Sequence, residues 1–251
     1  METMIERLSW RQVAAAIESG FSRVILVVGA MEQHGPHMAI GTDTMLGYEL
    51  AKRLAHRLGH TLIAPAITLG WSEGHLSHSG TINLSPSTLK NVVRDVCSSL
   101  SVHGFKEIIV LPSHGGNYRP LQEIVPSLRN ELPATKITYP ESDLDRHLAE
   151  MDSFYEEHGL DSAKMGVHAG QSETSRMLAV HPDLVDMSLA AKGFMGDASI
   201  RWTATTPPPM DTMSPSGILG DAREASRKLG EQLIEHQVDV LYDLIRREDT
   251  R

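Results

Sequence analysis

Residues 29–44, with the sequence GAMEQHGPHMAIGTDT, place several potential metal-binding side chains directly after an apolar segment. Within this stretch lie two carboxylates, Glu32 and Asp43, and two imidazoles, His34 and His37, among glycines and a proline. Glu32 and His34 are two residues apart, so in an extended backbone their side chains point the same way. Such groups would repel one another or stay idle without a cation, and their joint occurrence favours a metal site.

Two further segments carry the same residue types. The sequence LPSHGGN, at 111–117, contributes His114, and HAGQSET, at 168–174, contributes His168 and Glu173. The glycines beside His114 allow the backbone to approach a ligand closely. Carboxylates that outnumber imidazoles suit zinc, manganese or iron in a two-metal arrangement with one bridging carboxylate. The candidate ligands are Glu32, His34, Asp43, His114 and Glu173.

Each candidate also has a simpler explanation. Asp43 could be an N-cap or first-turn acid of the following helix. His34 could be a solvated loop histidine, and His114 a hydrogen-bonded histidine in a glycine-rich turn. His37 could contact the metal ligands from behind or lie on the loop surface. Asn117 could orient the His114 loop or cap the following helix, and the cap is favoured. The chain contains no HExxH, cysteine-based zinc, GxxxxGK[ST] or GxGxxG motif.

The loop WSEGHLSHSGT, at 71–81, offers two more imidazoles. His75 and His78 are candidate substrate contacts, with a solvated loop position as the alternative for both. Trp71 and Glu73, in the same loop, are no stronger candidates for substrate contacts than these two histidines.

Strands that alternate with helices must position these residues. Runs of aliphatic and β-branched residues predict buried strands at 23–29, 61–67, 106–111 and 135–139. Apolar periodicity with capping and stop signals predicts helices at 9–20, 44–59, 85–100, 117–132 (bent near Pro126) and 221–246. The stretch 203–217, with three consecutive prolines, is linker-like.

This alternation predicts a mainly parallel α/β sheet with helices on both faces. Ligands bind beyond the carboxyl ends of the strands in such sheets. The segments with Glu32 and His114 follow strands 23–29 and 106–111, so we expect them at that edge.

Composition excludes several classes of protein. The 251 residues suit a single domain over 1–251, and 41% hydrophobic residues suffice for a substantial core. A net charge of -9 argues against a nucleic-acid surface. Cys97 is the one cysteine, which excludes an intramolecular disulfide, and its apolar helical setting predicts a small core residue. The chain shows neither a signal-peptide pattern nor a membrane-length apolar run, so we expect a cytoplasmic protein without membrane or nucleic-acid partners.

Four ordered segments resemble the creatininase (creatinine amidohydrolase) family. They are GAMEQHGPHMAIGTDT, SHSGTINLS, PSHGGN and HAGQSETS, and the resemblance covers about residues 7 to 190. It implies a three-layer αβα sandwich, a dinuclear metal centre, hydrolysis of cyclic amides and homo-oligomers, often hexamers.

The resemblance also implies roles for individual residues. Glu32, His34, Asp43 and His114 match family metal ligands, with Asp43 in the bridging place. His168 matches the histidine near the leaving group.

One departure concerns the loop after the third strand. Creatininase has a His-Tyr-Glu element there, whose Glu is the last ligand, whereas this chain reads His114-Gly115-Gly116. Other branches of the family share the Gly-Gly form, and the Glu of their E-T-S segment is the natural replacement. Glu173 is therefore expected as fifth ligand, and creatinine is disfavoured as substrate.

The resulting prediction is a metal-dependent hydrolase that acts on a small cyclic amide or formamide-like C–N bond. Two divalent ions per chain (Zn, Mn or Fe) would hold a bridging hydroxide, and His168 would protonate the leaving group, with Glu173 beside it. One alternative keeps the dinuclear centre but cleaves a C–C or ester bond in a ketone or lactone derived from a cyclic polyol. Another is a non-catalytic family member.

Overall fold

A computed structural model describes residues 2–140, 143–204 and 206–249. Its strands form one sheet in the order β2-β1-β3-β4, and every pairing is parallel. The strands are β1 (Arg23–Val28), β2 (Thr61–Ile63), β3 (Glu107–Pro112) and β4 (Lys136–Thr138).

Helices connect and cover these strands. The α-helices in the described parts of the chain are α1 (Trp10–Glu18), α2 (Thr42–Leu58), α3 (Pro86–Val102), α4 (Tyr118–Glu131), α5 (Leu144–Glu157), α6 (Ser162–Met165), α7 (Gln171–Val180), α8 (Ile200–Thr203), α9 (Met210–Met213) and α10 (Arg227–Asp249). Single 3₁₀ turns lie at Ile5–Arg7, Glu73–His75, Gly115–Asn117, Pro182–Leu184, Met187–Leu189 and Ala222–Glu224.

The alternation of side chains along β1 divides the core into two layers. Val24, Leu26 and Val28 face one way and pack against α1, α3 and α4. Ile25 and Val27 face the other way and pack against α2, α7 and α10. Helices therefore cover both faces of a parallel sheet, which confirms the predicted three-layer αβα sandwich.

The predicted bounds differ from the structure where local chemistry interrupts a pattern. The strand expected at 61–67 ends at Ile63, because Pro65 has no amide hydrogen to continue the ladder, although Ile67 again bridges to Val28. The last helix begins at Arg227 rather than 221, since 222–224 form a 3₁₀ turn. Helices α5, α6 and α7 were not predicted as complete elements.

Helix start signals and the expected core position of the cysteine are confirmed. Ser9 and Gln12 form a capping box at α1, and Ser85 caps α3, with Pro86 in its first position. Cys97 is fully buried in α3. Within the described residues, no helix is both long and apolar enough to cross a membrane.

Candidate metal centre

Side chains from four parts of the chain meet at the carboxyl edge of the sheet. The loop after β1 supplies Glu32 and His34, and the first turn of α2 supplies Asp43. The loop after β3 supplies His114, and Glu173 lies in the first turn of α7. The predicted candidates thus converge, because parallel strands bring their following loops to one edge.

Asp43 lies between two imidazoles. Its Oδ1 is 3.4 Å from Nε2 of His34, and its Oδ2 is 3.5 Å from Nδ1 of His114. The two oxygens of one carboxylate therefore face two different nitrogen ligands. This geometry suits a bridging carboxylate. The N-cap residue of α2 is Gly41, and no side chain caps this helix, so Asp43 does not serve as its N-cap.

Glu32 gathers three imidazoles around one oxygen. Its Oε1 is 3.4 Å from Nδ1 of His114, 3.6 Å from Nδ1 of His168 and 3.7 Å from Nε2 of His75. On the other side of the cluster, Oε2 of Glu173 is 3.7 Å from Nε2 of His34. Glu32 and Glu173 thus lie at opposite ends of an arrangement centred on Asp43.

Three groups of side chains could each hold a cation, because their ligand atoms all lie within 4.8 Å of one another. The groups are Glu32–Asp43–His114, His34–His168–Glu173 and Glu32–His75–His168. The first two groups do not overlap, as expected for two separate ions. His168 and His75 are thereby candidate ligands as well as candidate catalytic or substrate contacts.

Backbone carbonyls orient the imidazoles. Nδ1 of His34 lies 3.1 Å from the carbonyl oxygen of Glu32, and Nε2 of His114 lies 3.0 Å from that of Trp71. Nε2 of His168 lies 2.8 Å from the carbonyl oxygen of Gln33. If each of these nitrogens donates its hydrogen to the carbonyl, the other ring nitrogen keeps a lone pair directed into the cluster, as metal-binding histidines require.

Several polar atoms in the cluster lack hydrogen-bond partners although they are buried. They are Oε2 of Glu32, Nε2 of His34 and Oδ2 of Asp43. Buried carboxylates are costly unless positive charge or hydrogen bonds compensate them. The donor set, three carboxylates with inward-facing imidazoles, therefore fits divalent cations with oxygen and nitrogen ligands.

The electrostatic effect of the carboxylates is visible in two imidazole pKa values. Burial by itself lowers the pKa of His34, but the carboxylates of Asp43 and Glu173 outweigh it and raise that pKa to about 10. Burial is likewise outweighed at His114, where Glu32 and Asp43 raise the pKa to about 9. Both sites attract positive charge strongly.

The remaining imidazoles respond mainly to burial. Burial, reinforced by the charge of His34, lowers the pKa of His168 to about 4 and that of His37 to about 4. Burial also holds the pKa of His75 well below its usual range, against the attraction of Glu32. Burial thus dominates at these three rings, whereas the carboxylates dominate at His34 and His114, where a bound cation would take the place of the proton.

The glycine pair after His114 shapes the loop. A Cβ at Gly116 would lie 2.3 Å from the carbonyl oxygen of Trp71 and 2.5 Å from Nε2 of His114, so this conformation admits no side chain there. A Cβ at Gly115 would meet nothing within 4 Å. No carboxylate can therefore enter from position 116, and Glu173 lies in the cluster instead.

Other sequence expectations have mixed outcomes. His75 is buried and lines the central cavity, whereas His78 is partly exposed, with its Nε2 3.4 Å from the carbonyl oxygen of Pro215, and does not line that cavity. His37 is buried and contacts the hydroxyl of Thr174, beside Glu173, at 2.9 Å. The structure thus separates the two loop imidazoles that sequence reasoning treated alike.

The capping role expected for Asn117 was wrong. Its amide nitrogen donates to the carbonyls of Val28 and Gly29, and its Oδ1 accepts from the amide of Trp71. Asn117 therefore joins the end of β1 to the loop after β3 and to the loop at 71, and it positions the cluster rather than a helix.

Gln33 was missed by sequence reasoning. Its Nε2 lies 3.1 Å from Nδ1 of His75, 2.9 Å from Nε2 of His168 and 3.1 Å from the carbonyl oxygen of Gly217. The only sequence feature that could have indicated a role for Gln33 was its position between Glu32 and His34. Its contacts with residues far away in the sequence could not be predicted from a loop amide alone.

A cavity of about 250 Å³ opens onto the cluster. Glu32, Asp43, His114 and Glu173 line its floor, while His34 lies fully buried and does not line it. A volume of this size accommodates a small molecule.

Comparison with known proteins agrees with this arrangement. The family model described as creatinine amidohydrolase matches residues 6–245. Creatinine amidohydrolase of Pseudomonas putida is 31% identical, covering 97% of this chain and 96% of that protein. The mycofactocin precursor peptide peptidase of Mycobacterium ulcerans (strain Agy99) is 26% identical, with 90% and 85% covered. The 3-dehydro-scyllo-inosose hydrolase of Thermotoga maritima is 26% identical, with 89% and 76% covered.

Solved structures give the same result. A manganese creatininase superposes with a TM-score of 0.81 at 29% identity, covering 99% of both chains. A mutant creatininase of the Zn-Zn type gives 0.80 at 29% identity, covering 99% of this chain and 98% of that one. The chain belongs to the creatininase family and is a metal-dependent hydrolase.

Proposed function

We propose that the protein hydrolyses a C–N bond of a small cyclic amide or formamide-like compound at a dinuclear metal centre. The observation that carries this proposal is the position of Asp43, whose two oxygens face His34 and His114. One ion would be held by Glu32, Asp43 and His114, and the other by His34, Asp43 and Glu173. When bound, two divalent cations lower the pKa of a water molecule and polarise a carbonyl oxygen.

The protein's own residues orient the reacting groups. Glu32 and Asp43 are fixed at the carboxyl edge of a sheet, and backbone carbonyls hold the rings of His34 and His114. Fixed ligands of this kind lower the entropic cost of bringing the reacting groups together.

His168 is the proposed proton-transfer residue. When its Nε2 donates to the carbonyl oxygen of Gln33, the lone pair of Nδ1 faces Glu32 and the cluster. From there Nδ1 can take a proton released on the cavity floor and deliver it to the leaving nitrogen.

The size of the cavity supports a small ring as substrate. About 250 Å³ holds a five- or six-membered ring with a few substituents. A ring also keeps its leaving amine attached after hydrolysis, so both reacting ends stay within reach of His168.

A panel assay tests this proposal. Protein loaded with Mn²⁺ or Zn²⁺ is incubated with hydantoin, dihydrouracil, creatinine and formamides, and ring opening or formate release is measured. We expect turnover of at least one cyclic amide or formamide, and loss of turnover with His168→Gln. Turnover of only oxidised cyclitols would contradict the C–N assignment.

A second candidate substrate class rests on the relative from Thermotoga maritima, a 3-dehydro-scyllo-inosose hydrolase. The same centre could cleave a C–C or ester bond in a ketone or lactone derived from a cyclic polyol, because both reactions use an activated water and a polarised carbonyl. Oxidised cyclitols and sugar lactones in the same panel distinguish this class from cyclic amides.

A further inference from the structure

Arg201, in the short helix α8, lines the central cavity together with Glu32 and His75. It has no part in the proposed dinuclear centre or in the proton transfer. A guanidinium group that is half-buried beside a reaction centre needs an explanation, because its desolvation is costly.

The partners of Arg201 are neutral. Its Nη1 donates to the carbonyl oxygens of Pro208 and Gly74. In the parts of the chain that the structure describes, no carboxylate forms an ion pair with it. Burial lowers the pKa of Arg201, and Glu32 acts in the opposite direction from across the cavity.

Gly74 makes room for the guanidinium group. A Cβ at position 74 would lie 2.6 Å from Nη2 and 2.7 Å from Nη1 of Arg201. Arg201 therefore lies in the space that any other side chain at this position would fill. Gly74 directly precedes His75, so the contact ties Arg201 to the wall of the reaction centre.

Other charges near the cavity already have partners. Arg119, at its rim, has Nε 3.6 Å from Oε1 of Glu123. Asp143 accepts from backbone amides at the start of α5. Three carboxylates and the proposed bridging hydroxide would balance the charge of two divalent ions, so the positive charge of Arg201 would remain uncompensated in the cavity.

From these observations we infer that Arg201 binds a carboxylate group of the substrate. The inference rests on the proposed function and narrows its substrate class to anionic cyclic amides. A guanidinium group with free N–H donors pairs with a carboxylate through charge-assisted hydrogen bonds, and this pairing would supply the counter-charge that Arg201 lacks.

Equilibrium binding to the metal-loaded protein tests the inference without requiring turnover. The probes are dihydroorotate and dihydrouracil, which differ by one carboxylate, measured by titration calorimetry. The variants are Arg201→Gln, Arg201→Lys and Gly74→Ala, with Arg94→Gln as control. Arg94 carries the same charge but pairs with Glu131 on the outer surface. Thermal melting and metal content verify that each variant is folded and loaded.

We expect the native protein to bind dihydroorotate about tenfold more tightly than dihydrouracil, or better. Arg201→Gln should abolish this preference, Arg201→Lys should retain part of it, and Gly74→Ala should weaken it by displacing the guanidinium group. Arg94→Gln should leave it unchanged.

The inference is overturned if dihydroorotate binds no more tightly than dihydrouracil, or if the preference persists in Arg201→Gln. Turnover of neutral cyclic amides without any preference would refute the inference and leave the proposed function standing. If dihydroorotate is preferred only when Arg201 is present but no cyclic amide is hydrolysed, the inference stands and the proposed function is refuted.

Discussion

Both faces of the sheet pack against apolar side chains, but they contribute differently to the site. The face built on Val24, Leu26 and Val28 is covered by α1, α3 and α4, which serve mainly to pack. The face built on Ile25 and Val27 is covered by α2, α7 and α10. In their first turns α2 and α7 carry Asp43 and Glu173. One layer thus stabilises the sheet, and the other also supplies acidic groups to the candidate metal centre.

The positions of these carboxylates have a physical reason. The N-terminal turn of a helix has unpaired amide hydrogens and a positive dipole end, which stabilise a negative charge. Asp43 and Glu173 both lie in such a first turn, and the amide of Ala169, just before α7, also donates to Oε2 of Glu173 at 2.5 Å. Burial nevertheless raises the pKa of Asp43, whereas the pKa of Glu173 is lowered because the nearby imidazole of His34 outweighs burial.

The largest effect is expected from a substitution at Asp43, in the helix layer that supplies carboxylates to the candidate metal centre. Asp43→Asn keeps the size of the side chain but removes the charge between two cations that repel each other. We expect loss of metal and a fall in kcat/KM of about 10³-fold or more, since several kcal/mol of charge stabilisation disappear. Metal analysis and steady-state kinetics check both. The matched control is Asp95→Asn on the exposed side of α3, and equal losses in both variants would remove the distinction between the layers.

Glu173→Gln is expected to have a smaller effect. The variant loses one ligand of one ion, so it should retain about one metal equivalent per chain, with activity lower by about 10- to 100-fold. Metal content by mass spectrometry measures the stoichiometry. Two retained equivalents would show that Glu173 is not a ligand.

His168→Gln separates proton transfer from metal binding. We expect metal content to stay unchanged while kcat falls by about 10²- to 10⁴-fold, because a positioned acid or base contributes that much. If the variant instead loses metal, His168 is itself a ligand, because it belongs to two of the three groups that could hold a cation.

Leu121→Ala tests the layer that serves mainly to pack. Leu121 is fully buried in α4, and its truncation should lower the free energy of unfolding by about 2–5 kcal/mol. Urea denaturation measures the change. Metal content in the folded state should equal that of the native protein, and a fall in it would mean that this layer also shapes the site.

The smallest effect is expected at a helix cap in the same layer. Ser85→Ala removes the acceptor for the amide of Thr88 at the start of α3 and should cost about 1 kcal/mol. Ser98→Ala, within the same helix, serves as control and should leave the free energy of unfolding almost unchanged. No effect on metal content or activity is expected from either.

Much of the fold could be predicted because its signals are local. Continuous β-branched runs define β1 and β3, and Ser9, Ser85 and Pro86 mark helix starts, since capping depends on residues within one turn. The strand predicted at 61–67 was too long because one proline outweighed an otherwise favourable pattern. The helices between 144 and 180 were missed although Asp143 and Asp161 cap α5 and α6, so local signals were present there as well.

The sequence by itself determined which residues could bind metal ions and that two of their segments follow strands of one parallel sheet. Only the tertiary structure decided which of them meet. It placed His75 in the cavity and left His78 outside, joined Gln33 to residues more than 100 positions away, and set Arg201 in the cavity wall against backbone carbonyls. The reason is that local chemistry depends on neighbours along the chain, whereas a site depends on distances that folding alone sets.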